Sequence, residues 1–306
     1  MSPRSTWRSL GMKDAFVPLP RKHILAARSR WRSAVFPAQP DDVVPRAKTG
    51  KPHSNGGLET ATVFSVLDQK SPSGNGFMDI TKFAIPEIIF GRGSLNFAGQ
   101  CALRLGAKKV FLVSDEGIEE AGWLQRLMDI LEKEGIKWVY YPGVTSNPRD
   151  FQVEQGAEFY SKNGTDVIIA IGGGSAMDTA KGIAIIASNG GRIRDYEGAN
   201  RVQRPLPPMM LITTTAGSGS DISQFCIITD MKRGVKMSII TRTLVPNISI
   251  VDPLILRTKT ESLIIQSAVD ALAHAIEAYM SRIASPFTEI QDRKSTRLNS
   301  SHDQIS

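Results

Sequence analysis

Residues 166–184 read DVIIAIGGGSAMDTAKGIA, and no other stretch restricts the fold so strongly. The apolar run Asp166–Ile171 suits a buried strand of a parallel sheet, because such strands are covered on both faces. Three glycines end it, and Ser175–Ala187 carries the pattern of a helix. Gly172, Gly173 and Gly174 have no side chains, so their backbone amides can approach a pyrophosphate closely. Ser175 is the expected helix N-cap, and a helix N-terminus offers free N–H groups and positive potential to phosphates. Asp178 is expected to turn back onto that N-terminus. Lys181, one turn further on, is expected to meet phosphate or a carboxylate. The spacing is neither G-x-G-x-x-G nor G-x-x-x-x-G-K-[ST]. An ordinary glycine-rich turn is the alternative reading of the same residues.

The surrounding chain alternates strand and helix. Strands are expected at Lys109–Ser114, Lys137–Tyr141, Met209–Thr215, Phe225–Thr229 and Ser249–Val251. Leu124, Leu127, Met128 and Leu131 recur at helical spacing, with Gly135 just beyond. A turn is expected at Asn147-Pro148, and a helix over Phe151–Lys162 should stop at Asn163-Gly164. Strands separated by helices of this length predict βαβ units and a parallel sheet. After Asp252-Pro253 strand signals cease, and Glu261–Ser281 reads as one long helix. The expected organisation is therefore a disordered or non-native extension over 1–77 and a dinucleotide-binding α/β domain over 78–255. The start of a helical domain follows over 256–292, and a foreign-looking tail over 293–306.

Charge supports that division. The 306-residue chain carries a net +7, but residues 1–77 alone hold 12 Lys/Arg against 5 Asp/Glu. Residues 293–306 hold 3 against 1, and the segment 78–292 holds 22 against 24. The basic excess belongs to the two ends, which argues against a nucleic-acid partner. No stretch approaches the roughly 20 apolar residues that span a bilayer, so no membrane partner is expected. Cys101 and Cys226 are far apart and read as buried free thiols. With no recognisable secretory signal, the expected location is cytoplasmic.

Three further elements carry chemistry. Asp115 closes the first strand, where a carboxylate can hold ribose hydroxyls and repel a 2′-phosphate; a loop acid or helix cap is the alternative. The loop TTTAGSGSD, 213–221, follows a strand and offers hydroxyls to a ligand, as a simple polar turn also would. In SAVDALAHAIEAY, 267–279, Asp270 and His274 are four apart and share a helical face. They could ligate one metal ion or could simply form a helix-stabilising pair.

Taken together, GGGSAMDTAK, TTTAGSGSD, VDP at 251–253 and DALAHAIEAY resemble the iron-dependent (group III) alcohol dehydrogenases, in the same order and at similar spacing. IIFGRGS at 88–94 is similar to that family's opening segment. The resemblance covers about residues 80–291. It implies a Rossmann-like parallel-sheet N-terminal domain followed by an all-helical metal-binding domain, the architecture of dehydroquinate synthase. By that resemblance Asp115, Asn147, Gly172, Gly173, Gly174, Ser175, Asp178, Thr214, Thr215, Ser223 and Lys236 fall on NAD-site positions. Asp270 and His274 fall on the first two metal ligands, through which they would act in catalysis. The implied reaction is hydride transfer between a small alcohol and NAD, giving an aldehyde or ketone, assisted by Fe²⁺ or Zn²⁺ as Lewis acid. Intact members are expected to be homo-oligomers.

Two departures stand out. The family completes its metal site with two more histidines from the helical domain, whereas His274 is the only histidine between Met78 and Asp292. His23 and His53 lie in the extension and His302 in the tail. A catalytic site of this kind needs at least three protein ligands, so the chain as given is expected to be inactive. Asp221 stands where the family more often has Glu. The alternatives are a non-catalytic NAD-binding fragment, and a cyclase or lyase on the same fold; the Asp-x-x-x-His pair argues against the latter.

Overall fold

The computed structural model describes residues 84–280. The expected extension, the tail, and His23, His53 and His302 lie outside the described residues. Six strands form one parallel sheet in the order β1-β9-β6-β4-β2-β3. These are β1 (Glu87–Phe90), β2 (Lys109–Ser114), β3 (Lys137–Tyr141), β4 (Val167–Gly172), β6 (Met209–Thr213) and β9 (Ile248–Val251). Their crossovers carry α1 (Ala98–Arg104), α2 (Glu116–Glu120), α3 (Trp123–Lys133), α4 (Asp150–Asn163) and α5 (Gly174–Asn189). A short α6 (Pro253–Leu256) and a long α7 (Glu261–Met280) follow the last strand.

Both faces of the sheet are covered, as its continuous apolar strands require. On one face, Val110, Leu112, Ile169, Ile212 and Ile250 join Leu124, Leu127, Met128 and Leu131 of α3 in a single core. On the other, Phe111 meets Tyr141 with ring centroids 6.0 Å apart and Tyr160 of α4 at 5.3 Å. Alternate strand residues thus feed opposite layers. Gly164 ends α4 with φ of 55°, a left-handed conformation in which a Cβ would be strained. Both cysteines are buried and free.

The structure departs from the expected strands in one respect. β7 (Phe225–Asp230) does not join the parallel sheet but pairs antiparallel with β8 (Val235–Ile240). With the two-residue β5 (Gly198–Ala199) they make a separate three-stranded sheet. The edge strand β1 escaped the sequence reading because it is four residues long and mostly exposed, with little contrast between its faces; β8 also went unread, although Met237 and Ile239 alternate as its buried residues. No helix among the described residues is long and apolar enough to cross a membrane.

One buried carboxylate closes the sheet against its first turn. Asp252, 2% exposed at the end of β9, accepts from the backbone N–H groups of Gly93 at 3.1 Å, Leu95 at 3.2 Å and Leu254 at 3.0 Å. It therefore caps α6 and holds the β1–α1 turn, residues otherwise far away in sequence. Asp252→Ala would orphan these buried donors and is expected to cost about 2–4 kcal/mol. Asp252→Asn, which keeps one accepting oxygen, should cost less. Urea midpoints followed by circular dichroism measure both, and equal stabilities for the three proteins would contradict the assignment.

Candidate functional site

β4 and β6 are neighbours in register, with Gly172 opposite Thr213. The turn after β4 and the loop after β6 consequently leave the same end of the sheet side by side. The Thr214 N–H donates to the Gly172 carbonyl at 2.9 Å. A Cβ on Gly173 would lie 3.1 Å from Thr215 Cγ2, and one on Gly174 would lie 3.1 Å from Ser218 Oγ. On Gly172 it would stand 2.5 Å from the Ala176 Cβ and 3.2 Å from Asp115 Oδ2. The triplet is therefore small because helix α5, the 213–221 loop and Asp115 all press against it. The side-chain hydroxyls of Thr214 and Thr215 are buried at this place with no hydrogen-bond partner. Orphaned buried donors of this kind are rare and call for a ligand or a water.

Two expectations for this element are corrected. Helix α5 begins at Gly174 with Gly173 as its N-cap, in extended conformation and without a side-chain cap; Ser175 lies inside the first turn. Asp178 does not turn back onto the helix N-terminus. It accepts from Ser220 Oγ at 2.5 Å and from the Ile227 N–H at 3.2 Å, tying α5 to the loop and to β7. Lys181, expected to meet phosphate or a carboxylate, is 0% exposed, feels the charge of the Asp178 carboxylate and donates to the carbonyls of Ser223 and Phe225, both at 2.8 Å. Burial pushes the Asp178 carboxyl above and the Lys181 ammonium below its usual range, each shift opposed by the charge of the other. The sequence reading missed these roles because a helical periodicity does not reveal which strand a polar side chain will meet.

The remaining residues fall around the same end of the sheet. Asp115 caps α2, its Oδ1 accepting from the Ile118 N–H at 3.1 Å, while Oδ2 faces Gly172. Burial raises its carboxyl above the ordinary range, opposed by the N–H groups of Ile118 and Gly117 and by the charge of Lys259. Asn147 is exposed and takes a left-handed φ of 55° in the expected turn. The next residue but one, Arg149, bridges Thr229 of β7, whose partner across the ladder is Lys236. Asn147 and Lys236 thus belong to one neighbourhood, with Lys236 exposed. Ser223 accepts from the Lys181 ammonium through its carbonyl at 2.8 Å and through its hydroxyl oxygen at 3.4 Å.

Helix α7 packs directly on the second loop. A Cβ on Gly217 would collide with the Ser267 carbonyl at 2.5 Å and lie 3.2 Å from Asp270 Oδ2. His274 Nδ1 stands 3.2 Å from the Gly217 carbonyl, and its Nε2 is 4.0 Å from Asp270 Oδ1. Donation from Nδ1 to that carbonyl would leave Nε2 as a free electron-pair donor toward the Asp270 side. Both side chains are half exposed, His274 at 52% and Asp270 at 49%. Among the described residues no third His, Cys, Asp or Glu joins them. Sequence reasoning passed over Ser249, which donates to the buried Asp221 at 2.9 Å. A serine inside an apolar strand such as β9 was the available signal for the last contact.

Comparison with known proteins agrees with this geometry. The sequence model of the family "iron-containing alcohol dehydrogenase" matches residues 86–253. The chain is 39% identical over 211 residues to the NAD-dependent methanol dehydrogenase of Bacillus methanolicus, covering 69% of this chain and 55% of that protein. It is 36% identical over 219 residues to the 1,3-propanediol dehydrogenase of Citrobacter freundii, covering 71% and 57% respectively. A crystal structure of a 1,3-propanediol oxidoreductase superposes with a TM-score of 0.68 at 34% identity, over 70% of this chain and 56% of that one. The sulfoacetaldehyde reductase of Bifidobacterium kashiwanohense, solved in complex with NAD+, gives 0.61 at 29% identity, over 68% and 55%. The chain spans about half the length of the curated relatives it matches. Its sequence, its parallel sheet and the arrangement of its loops agree, and the chain belongs to the iron-containing alcohol dehydrogenase family.

Proposed function

We propose that this chain binds NAD across the Gly172–Gly174 turn and the 213–221 loop, and serves NAD-dependent oxidation of a small alcohol. The observation that carries the reading is the pair of buried, unpartnered hydroxyls of Thr214 and Thr215 beside a glycine cradle that a single Cβ would fill. The N-terminus of α5, a 16-residue helix with no side-chain cap, leaves N–H groups for the pyrophosphate. Asp115 Oδ2 is placed to accept from ribose hydroxyls. Asn147, Ser223 and Lys236 line the approach from the second sheet. Ser175 and Asp178 shape the cradle from within α5, Asp178 by holding Ser220 in place.

Asp270 and His274 are the residues that would hold a divalent ion, Fe²⁺ or Zn²⁺, at the loop's other side. Their donor atoms suit such an ion, but two ligands make only part of the three or more that a catalytic site requires. Such an ion would supply Lewis acidity at the alcohol oxygen, and a bound nicotinamide would supply the hydride acceptor. The residues of this chain orient the dinucleotide, exclude water from the cradle and present the metal donors on a helix anchored at Gly217. The names of the relatives support a small alcohol as substrate, as does a loop built from small residues. The sequence pair Asp270 and His274 and the dehydrogenase relatives favour this over a cyclase or lyase. Binding of NAD without turnover is the second reading, favoured by the two-ligand metal set among the described residues.

Thr214→Val replaces the hydroxyl with a methyl of the same shape. It is expected to leave stability unchanged or raised by up to about 1 kcal/mol, since no hydrogen bond within the protein is lost. The same change should weaken NAD binding about tenfold, a loss of about 1.4 kcal/mol. Calorimetric titration and thermal melts on one preparation read both, and unaltered NAD affinity would sink the proposal. In a second experiment, the 306-residue polypeptide is assayed for NADH formation from short alcohols with Fe²⁺ or Zn²⁺ added. Negligible turnover together with measurable NAD binding is expected. A substantial metal-dependent rate would show that the ion is held by more than Asp270 and His274.

A further inference from the structure

The loop after β6 is shared between the two halves of the site. Thr215 and Ser218 meet the glycine turn: a Cβ on Gly173 would lie 3.1 Å from Thr215 Cγ2, and one on Gly174 would lie 3.1 Å from Ser218 Oγ. Between them in the chain, Gly217 meets α7 instead. A Cβ on it would strike the Ser267 carbonyl oxygen at 2.5 Å and lie 3.2 Å from Asp270 Oδ2. Its own carbonyl is 3.2 Å from His274 Nδ1. A carbonyl oxygen can only accept, so in this contact Nδ1 carries the proton and Nε2 keeps its lone pair. Both metal donors therefore meet one residue, whose neighbours in the loop meet the dinucleotide cradle. The two sides of the contact are not equally firm. The loop is tied down by the Thr214 N–H on the Gly172 carbonyl at 2.9 Å and by Ser220 on Asp178 at 2.5 Å. Helix α7 buries only Ala275 among its described side chains. A segment with so little buried surface is the one that yields, so a displacement at residue 217 is taken up by the helix and its donors.

We infer that Gly217 is a positioning residue that couples the two binding events, so that a dinucleotide in the cradle sets His274 and Asp270 for a divalent ion. This rests on the cofactor and metal reading above and deepens it. A dinucleotide that engages the Thr214 and Thr215 hydroxyls fixes the loop. A fixed Gly217 carbonyl then holds the imidazole in one tautomer and one ring orientation, as partners of metal-binding histidines do. The effect is reciprocal: an ion on Nε2 and Asp270 stabilises the loop conformation that the dinucleotide selects, and by the same factor. Any side chain at 217 would break the link at its narrowest point. The atom in its way is the Ser267 carbonyl oxygen of the helix backbone, which cannot rotate aside as a side chain could.

Calorimetric titration of Zn²⁺ into the 306-residue chain, without and with saturating NAD, tests this with no need for turnover. His274→Ala supplies the background from other zinc sites. NAD is expected to tighten the His274-dependent Zn²⁺ binding about fivefold, and Zn²⁺ to tighten NAD by the same factor. Gly217→Ala should weaken Zn²⁺ about tenfold, weaken NAD in metal-free solution by less, and leave neither ligand sensitive to the other. If Gly217→Ala does not fold, ¹⁵N spectra of the histidine rings in the metal-free unaltered chain take its place. The ring of His274, identified by its loss in His274→Ala, is expected to carry its proton on Nδ1 when neutral. A proton on Nε2 instead would overturn the inference, as would Zn²⁺ and NAD that bind without regard to each other. So would coupling that survives Gly217→Ala, the result expected if the ion and the dinucleotide simply touched. Absence of NAD binding, or of any His274-dependent Zn²⁺ binding, would overturn the underlying reading and the inference with it.

Discussion

The Lys181 ammonium, enclosed among the carbonyl oxygens of Ser223 and Phe225, fastens the helix after the glycine turn to the second sheet. Taking a charge out of water is costly, and it is tolerated here because the amine donates two bonds of 2.8 Å and sits near Asp178 and Asp221. Asp178 completes the link from the same helix through Ser220 and the Ile227 backbone. The segment over residues 213–227 is thus held by α5 at four residues, Ser220, Ser223, Phe225 and Ile227. Both side chains are committed to holding that loop, so Asp178 does not turn back onto the helix N-terminus as its spacing suggested.

Parallel pairing does the rest. Because β4 and β6 run together in register, the two loops that follow them must emerge at the same edge, and β2, next to β4, delivers Asp115 there as well. In an open α/β sheet this carboxyl end is where ligands bind, since helix N-termini and loops converge outside it. The close contacts of all three glycines follow from that convergence. Antiparallel β7 and β8 lie apart from the sheet and close the cradle from the side of Asn147 and Lys236.

Helix α7 stands differently. It touches the rest of the chain at Gly217 through Ser267, Asp270 and His274, and buries Ala275. Leu263, Ile264, Ile265, Val269, Leu272 and Ile276 remain exposed, an unusual amount of apolar surface for one helix. The helix therefore presents Asp270 and His274 at the loop while much of its apolar surface faces outward. This arrangement agrees with a chain that spans about half the length of the relatives it matches.

Much of the α/β layout was legible from sequence, because a parallel strand buried on both faces is written as an uninterrupted apolar run. Residues Val167–Gly172 and Met209–Thr213 could hardly be anything else. Amphipathic spacing likewise marked Leu124, Leu127, Met128 and Leu131, and glycine marked the end of α4 at Gly164. The i, i+4 spacing placed Asp270 and His274 on one face. What sequence alone could not decide was which polar residue meets which partner across long separations. Asp252 holding Gly93 and Leu95, and Lys181 holding Phe225, both depend on how distant segments are brought together. Periodicity encodes the face a residue occupies, because that follows from local backbone geometry. The partner on that face is set by strand order and helix packing, which only the folded chain establishes.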